Sequence, residues 1–174
     1  MAKKEKKQIE ASGDVWEEMG ALEAISVAIY NEQAAFEFYN GLVDVIENEG
    51  GKSMFRSFAA DEKRHRQHLE KRYGTESGGG AFVFDPGRVK QITFSVDSQT
   101  GAIDAVELAI EAEKEACAFY QDAARKTRDE AGKHMFEALA ADEDRHHEML
   151  LAEREALLGH FYWFGADDQR FMEG

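Results

Sequence analysis

Cysteine and proline each occur once in the 174 residues of this chain. The single thiol, Cys117, excludes an internal disulfide framework and any Cys-x-x-Cys metal knuckle. So little proline, together with heavy use of Ala, Glu, Lys and Leu and few β-branched runs, favours helices from end to end. Long apolar runs are missing as well, and none approaches the roughly 18 residues that a membrane span requires. Four lysines (Lys3, Lys4, Lys6, Lys7) open the chain, but no apolar core of a signal peptide follows them, so the expected location is the cytoplasm. Basic residues are scarce overall: 21 Lys and Arg stand against 35 Asp and Glu, a formal net charge of −14. That balance excludes nucleic acid and anionic membrane as partners, both of which need a basic surface. An acidic surface could concentrate cations such as Fe(II), although most acidic surfaces serve only solubility.

What is present is a duplication. Residues 20–73 and 101–154 align without a gap at an offset of 81 positions and share 21 identities. Among them are Gly20/Gly101, Glu32/Glu113, Phe38-Tyr39/Phe119-Tyr120 and Met54-Phe55/Met135-Phe136. The spacing predicts a helical hairpin in each repeat. Leu22, Ile25, Ile29, Glu32, Phe36, Tyr39, Val43 and Ile46 recur at threes and fours, as do Ile103, Val106, Ile110, Glu113, Cys117, Tyr120 and Ala124. Turn-like breaks at 48–51 and 128–132 lead to a second helix in each half.

Residues 1–13 read as a flexible charged tail and 14–158 as one all-α domain. Residues 74–101 form its long connection, with Gly78-Gly79-Gly80, Pro86-Gly87 and a strand-like stretch at 91–96. A loop of this length needs a reason. Joining two hairpins so that the second and third helices run parallel requires a crossover along a whole helix, about 34 Å for some 23 residues. Extended chain covers that distance with ease. Residues 159–174 hold Phe161, Tyr162, Trp163, Phe164 and Phe171, a tail expected to cap the bundle or form a dimer contact.

The helices carry charge where apolar residues belong. Asp61-Glu62-Lys63-Arg64-His65 and Asp142-Glu143-Asp144-Arg145-His146 each set a carboxylate and an imidazole three residues apart, on one helical face. Phe55, Phe58, Glu62, His65 and Leu69 share the core-facing stripe, as do Phe136, Leu139, Glu143, His146 and Leu150. Glu32 and Glu113 interrupt the stripes of the other two helices at equivalent positions. One Glu from each of two helices and Glu-x-x-His from each of the others is the ligand pattern of ferritin-like di-iron and di-manganese carboxylate proteins, whose bundles also contain one long crossover.

Four carboxylates buried without partners would each cost several kcal/mol. Two divalent cations would neutralise them. A single buried Glu is often paired with Arg, but Arg64 and Arg145, one position before a core-facing His, are expected to point away; a single core His is more often hydrogen-bonded than ligating. Six such groups in register across a duplication favour metal. Symmetry makes Glu62 and Glu143 bridging carboxylates and gives each metal one terminal Glu and one His. Iron or manganese suits such donors, and zinc fits without redox chemistry.

Tyr39 and Tyr120 lie two turns beyond Glu32 and Glu113, where they either donate to a ligand carboxylate or only pack. Asp61 and Asp142 either accept the second N–H of a ligand His, expected on the facing helix, or face solvent. Cys117 reads as a small packing residue, and His68, His134, His147 and His160 as surface residues.

These motifs resemble the rubrerythrin family of the ferritin-like superfamily over residues 20–158. The resemblance rests on Glu32 with Phe38-Tyr39, Glu62-x-x-His65, Glu113 with Phe119-Tyr120, and Glu143-x-x-His146; the aromatic tail is similar to the ends of short family relatives. It implies two iron ions held by Glu32, Glu62, His65, Glu113, Glu143 and His146, and reduction of hydrogen peroxide or dioxygen. Rubrerythrins proper also carry a rubredoxin-type Cys-x-x-Cys domain, which this chain lacks, so an external electron-donor protein is expected. They bear a further carboxylate three residues after the third-helix Glu, which helps iron shift during peroxide reduction; Ala116 stands there instead. Ferroxidase or iron-handling activity and a non-catalytic metal-binding bundle are the alternatives. A homodimer is expected, with exchange of hairpins between chains left open.

Overall fold

The three-four spacing of apolar residues becomes four helices in the computed structural model, which describes residues 20–80 and 101–168, with side chains as far as residue 159. They are α1 (Ala21–Val45), α2 (Glu49–Glu76), α3 (Ala102–Lys126) and α4 (Glu130–Asp168). No strand occurs among the described residues. None of the described helices is long and apolar enough to cross a membrane.

The two hairpin turns are built alike. The side chain of Asn48 accepts the Gly51 N–H at 2.9 Å and closes the first turn of α2, while Asp129 accepts the Gly132 N–H at 3.1 Å at the start of α4. The breaks fall at 46–48 and 127–129, slightly earlier than the glycines suggest, because these polar side chains start the helices ahead of them. Gly132 leaves room for the cap: a Cβ there would press on Asp129 Oδ2 and lie 2.9 Å from Thr127 Cγ2, so both side chains would have to shift. At the other end of α2, Gly78 turns left-handed at φ 64°, and the Gly79 N–H donates to the Gly74 carbonyl at 2.9 Å. That bond closes the helix C-terminus.

α1 packs along α2 and α3 along α4, so the hairpins pair as the repeat predicts. Their mutual orientation follows from four contacts. Tyr39 reaches Glu113 while Tyr120 reaches Glu32, which makes α1 and α3 antiparallel. His65 reaches Asp142 while His146 reaches Asp61, which does the same for α2 and α4. Each contact maps onto its counterpart by the 81-residue offset, so an internal two-fold relates the hairpins. Hence α2 and α3 run parallel, and the C-terminus of α2 and the N-terminus of α3 lie at opposite ends of the bundle. Residues 81–100 lie outside the described residues, as do the predicted strand-like stretch, the tail at 1–13 and the aromatic side chains beyond 159. The backbone of α4 continues as helix past 158 to Asp168.

The core is divided in two. One apolar cluster gathers Ile25, Ile29, Leu69, Tyr73, Tyr120, Phe136 and Leu139, and the other Phe38, Leu42, Phe55, Phe58, Val106, Ile110 and Leu150. All four helices contribute to both. Fully burying one such side chain stabilises the fold by about 1.5–3 kcal/mol, which lets the bundle tolerate a polar layer between the clusters.

Candidate metal centre

That layer consists of Glu32 from α1, Glu62 and His65 from α2, Glu113 from α3, and Glu143 and His146 from α4, none more than 3% exposed. The helical register that aims apolar neighbours inward aims these six inward too. His65 Nδ1 lies 3.5 Å from Glu32 Oε2, 3.4 Å from Glu62 Oε2 and 3.3 Å from Glu143 Oε1. His146 Nδ1 lies 3.5 Å from Glu113 Oε1, 3.4 Å from Glu62 Oε1 and 3.3 Å from Glu143 Oε2. Glu62 and Glu143 therefore offer one oxygen to each histidine, the division that a bridging carboxylate makes. Glu32, Glu62, His65 and Glu143 form one four-donor group, and Glu62, Glu113, Glu143 and His146 the other.

The donor atoms fit cations rather than one another. Glu32 Oε2, Glu62 Oε1, both Glu143 oxygens and both histidine Nδ1 atoms are buried without a hydrogen-bond partner. Such atoms are costly unless something else satisfies them. Donors about 2.1 Å from a tetrahedral ion stand roughly 3.4 Å apart, close to the spacing found here.

Neighbouring groups hold these residues in place. Tyr39 donates its hydroxyl proton to Glu113 Oε1, and Tyr120 donates to Glu32 Oε1. Of the two roles considered for the tyrosines, the geometry is that of donors, each serving the carboxylate of the opposite repeat. Both rings also pack, Tyr39 on Phe55 at 5.8 Å and Tyr120 on Phe136 at 6.1 Å between centroids. His65 Nε2 is 3.0 Å from Asp142 Oδ2, and His146 Nε2 is 3.1 Å from Asp61 Oδ2. With Nε2–H donated outward to an aspartate on the facing helix, Nδ1 is the atom left to take either a proton or a metal ion on the interior side.

The electrostatics describe a cluster that must hold positive charge. Burial, followed by the nearby Glu62 carboxylate, pushes the Glu32 carboxyl up to about 8. Burial likewise raises Glu113 well above the ordinary range, with Glu143 and Glu62 adding to it against the pull of His146. For the imidazoles burial acts in the opposite direction, but the carboxylates outweigh it: Glu143, Glu32 and Glu62 raise His65, and Glu113, Glu143 and Glu62 push His146 up to about 12. Protons and metal ions thus compete for the same atoms. Burial and the adjacent carboxylates raise both phenols well above 10, so they stay protonated donors. Asp61 and Asp142 are lowered; burial opposes this, but His146 and Arg64 prevail at Asp61, and His65 and Arg145 at Asp142.

The model of the family described as rubrerythrin matches residues 23–154, a span that contains all six residues. The chain belongs to the rubrerythrin family. Among solved structures, a hypothetical protein from Pyrococcus furiosus is similar with a TM-score of 0.72 and 28% identity, over 83% of this chain and 94% of that one. KatB, a manganese catalase from Anabaena, is similar with a TM-score of 0.58 and 17% identity, over 90% of this chain and 81% of that one. At that identity the likeness shows the fold alone, and the fold is the ferritin-like helical bundle. No curated protein matches.

This rubrerythrin-family bundle, with its buried Glu/His cluster, points to a binuclear metal site. Ala116 packs, partly buried, against the cluster around Cys117 and Tyr120, so Glu113 is the carboxylate that its turn of α3 brings to the site. Sequence reasoning missed the part played by three residues. Phe58 stacks on His146 with centroids 4.2 Å apart, and Arg64 and Arg145 fold over Asp61 and Asp142. The repeated Asp-x-x-Arg spacing was the available signal for the arginines.

Proposed function

We propose that this rubrerythrin-family protein is a di-iron oxidoreductase that reduces hydrogen peroxide or dioxygen with electrons from an external donor protein. The observation that carries the reading is the pair of four-donor groups sharing Glu62 and Glu143, six of whose inward atoms are buried without a hydrogen-bond partner. Iron held by these residues would supply a two-electron couple, enough with two protons to convert hydrogen peroxide to two waters or dioxygen to hydrogen peroxide, with the external donor as the source of replacement electrons. Glu32 with His65 and Glu113 with His146 would hold one ion each, and Glu62 and Glu143 would contribute to both. Tyr39 and Tyr120 keep the terminal carboxylates oriented, and Asp61 and Asp142 keep both imidazoles in one tautomer. Each side offers four protein donors, fewer than a six-coordinate ion would take, so an oxidant could be accommodated beside them. Carboxylate-rich sets with one imidazole support iron or manganese over softer metals.

The test is metal analysis of anaerobically purified protein, followed by optical spectra and peroxide consumption on adding hydrogen peroxide. Two irons per chain and peroxide consumption that disappears in Glu62→Ala are expected. Undiminished turnover by Glu62→Ala overturns the reading, and uptake of many more than two irons per chain replaces it with iron handling.

A further inference from the structure

We propose that Arg64 and Arg145 are positioning residues for the metal centre, bracketing Asp61 and Asp142 so that His65 and His146 are held in the tautomer and orientation that aim Nδ1 inward. The inference rests on the reading that the six buried residues bind metal. Both arginines sit three residues after an aspartate, one turn along the same helix. Arg64 Nη1 donates to Asp61 Oδ1 at 2.6 Å, and its Nη2 lies 3.8 Å from Asp142 Oδ2 across the helix pair. Arg145 Nη2 lies between the two aspartates, 3.4 Å from Asp61 Oδ2 and 3.3 Å from Asp142 Oδ1. Each aspartate thus meets a guanidinium from both helices and the imidazole of the facing one.

The arrangement does more than join two helices. With 50% and 47% of their side chains exposed, the arginines make ion pairs of a kind that adds little to stability. Their effect on orientation is larger. An aspartate carboxylate turns freely about its last bond, which has no sharp rotamer wells. A guanidinium N–H that holds Oδ1 fixes where Oδ2 points, and Oδ2 lies within hydrogen-bond reach of a histidine Nε2 in both halves of the quartet. Charge balance adds a second reason. Two guanidinium groups neutralise two aspartates, so both imidazoles gain a fixed acceptor without further net negative charge beside four buried carboxylates.

The experiment is anaerobic Co(II) titration of the full-length protein, reading stoichiometry, affinity and the ligand-field spectrum, alongside the melting temperature of metal-free samples. The unaltered protein is expected to take two Co(II) per chain. Arg64→Gln/Arg145→Gln should keep two sites, bind about 10-fold more weakly, and show a shifted ligand-field band, because losing outer hydrogen-bond partners weakens metal sites by roughly 10–100-fold and these residues act one bond further out. Arg64→Lys/Arg145→Lys should recover part of the loss, since an ammonium restores charge but not the fork. The single variant Arg145→Gln should move the same way by a smaller factor, which keeps the test available if the double variant does not fold. Two sites of unaltered affinity and spectrum in the Gln variants overturn the inference and leave the metal reading standing. So does a change confined to the metal-free melting temperature. No Co(II) uptake by the unaltered protein overturns both.

Discussion

The two ends of the bundle descend from one hairpin sequence but no longer pack alike. Where the end around Phe55 has Leu42, Val43, Phe58 and Phe36, the repeat-equivalent positions at the other end are Ala123, Ala124, Leu139 and Cys117. Tyr73 fills that second end, and its own counterpart is Arg154. Between the ends, Glu32/Glu113, Glu62/Glu143, His65/His146, Tyr39/Tyr120 and Asp61/Asp142 are identical. Volume is satisfied collectively, so one large side chain substitutes for several small ones. A buried carboxylate needs a particular donor in a particular place and has no such freedom. One result is local asymmetry: His146 has Phe58 stacked on its ring, whereas the second repeat carries Leu139 at that position.

The sharpest way to break the equivalence is to remove one candidate ligand at a time. Glu62 and Glu143 belong to both donor groups, Glu32 and Glu113 to one each. Glu62→Ala or Glu143→Ala should abolish binding of both ions, while Glu32→Ala or Glu113→Ala should leave about one per chain. Elemental analysis after equilibration with Mn(II) reads this directly. Equal stoichiometry across all four variants would falsify the bridging assignment.

Packing should show the opposite pattern, with the ends unequal. Phe58 is 1% exposed and touches Tyr39, Phe55 and His146, so Phe58→Ala is expected to cost about 4 kcal/mol. Leu139→Ala, in the end richer in small side chains, should cost about 3 kcal/mol. Urea denaturation of metal-free protein separates the two. A larger cost at Leu139 would place the denser packing at the wrong end.

The duplication made much of this legible in the sequence. Glu32 and Glu113 stood out because a carboxylate on an apolar stripe recurred 81 residues later, and the all-α ferritin-like bundle followed from the stripes and the long connection. Periodicity reports which face a residue occupies, but not how far a long side chain bends back. Arg64 and Arg145 do turn away from the buried carboxylates and stay about half exposed, but periodicity does not show that their guanidinium groups reach Asp142 and Asp61 on the facing helix. Nor does periodicity say which Glu serves which His, since that depends on the way the hairpins cross. The stack of Phe58 on His146 was hidden for the same reason: the two residues lie on different helices.

Acidity gives a test that treats both halves together. Glu32 is raised in the fold from 4.5 to about 8, so its contribution to metal-free stability is full below pH 4.5 and is lost as pH climbs towards 8. His146, raised from 6.5 to about 12, contributes fully below pH 6.5 and loses that contribution as pH rises further. Asp61 and Asp142 are lowered from 3.8, so their contribution is lost only on acidification below that value and stays constant through this window. In the presence of a chelator, the melting temperature should therefore fall between about pH 5 and about pH 8, a window that lies above the unperturbed carboxylate pKa and spans that of imidazole. With Mn(II) the added stability should grow over the same range, because the ion displaces protons that are already leaving. A chelated protein that becomes more stable as pH rises would contradict the picture of a proton-holding cluster.

The smallest expected difference lies between the two tyrosines. Tyr39 donates to Glu113 Oε1, the same oxygen that lies 3.5 Å from His146 Nδ1. Tyr120 donates to Glu32 Oε1, while the other oxygen, Oε2, lies 3.5 Å from His65 Nδ1. Either Tyr→Phe substitution removes one hydrogen bond to a buried carboxyl, and both should lower metal-free stability by about 1–3 kcal/mol. Their effects on metal should differ. Tyr39→Phe releases an oxygen that faces the ion, which alters both its donor strength and its aim, so Mn(II) affinity should change by a few-fold, a differential interaction of about 1 kcal/mol. Tyr120→Phe leaves the metal-facing oxygen of Glu32 untouched, and affinity should stay within about two-fold. Calorimetric titration of both variants decides the matter: equal changes would mean that Glu113 turns to present its second oxygen once an ion arrives, making the two halves equivalent when loaded.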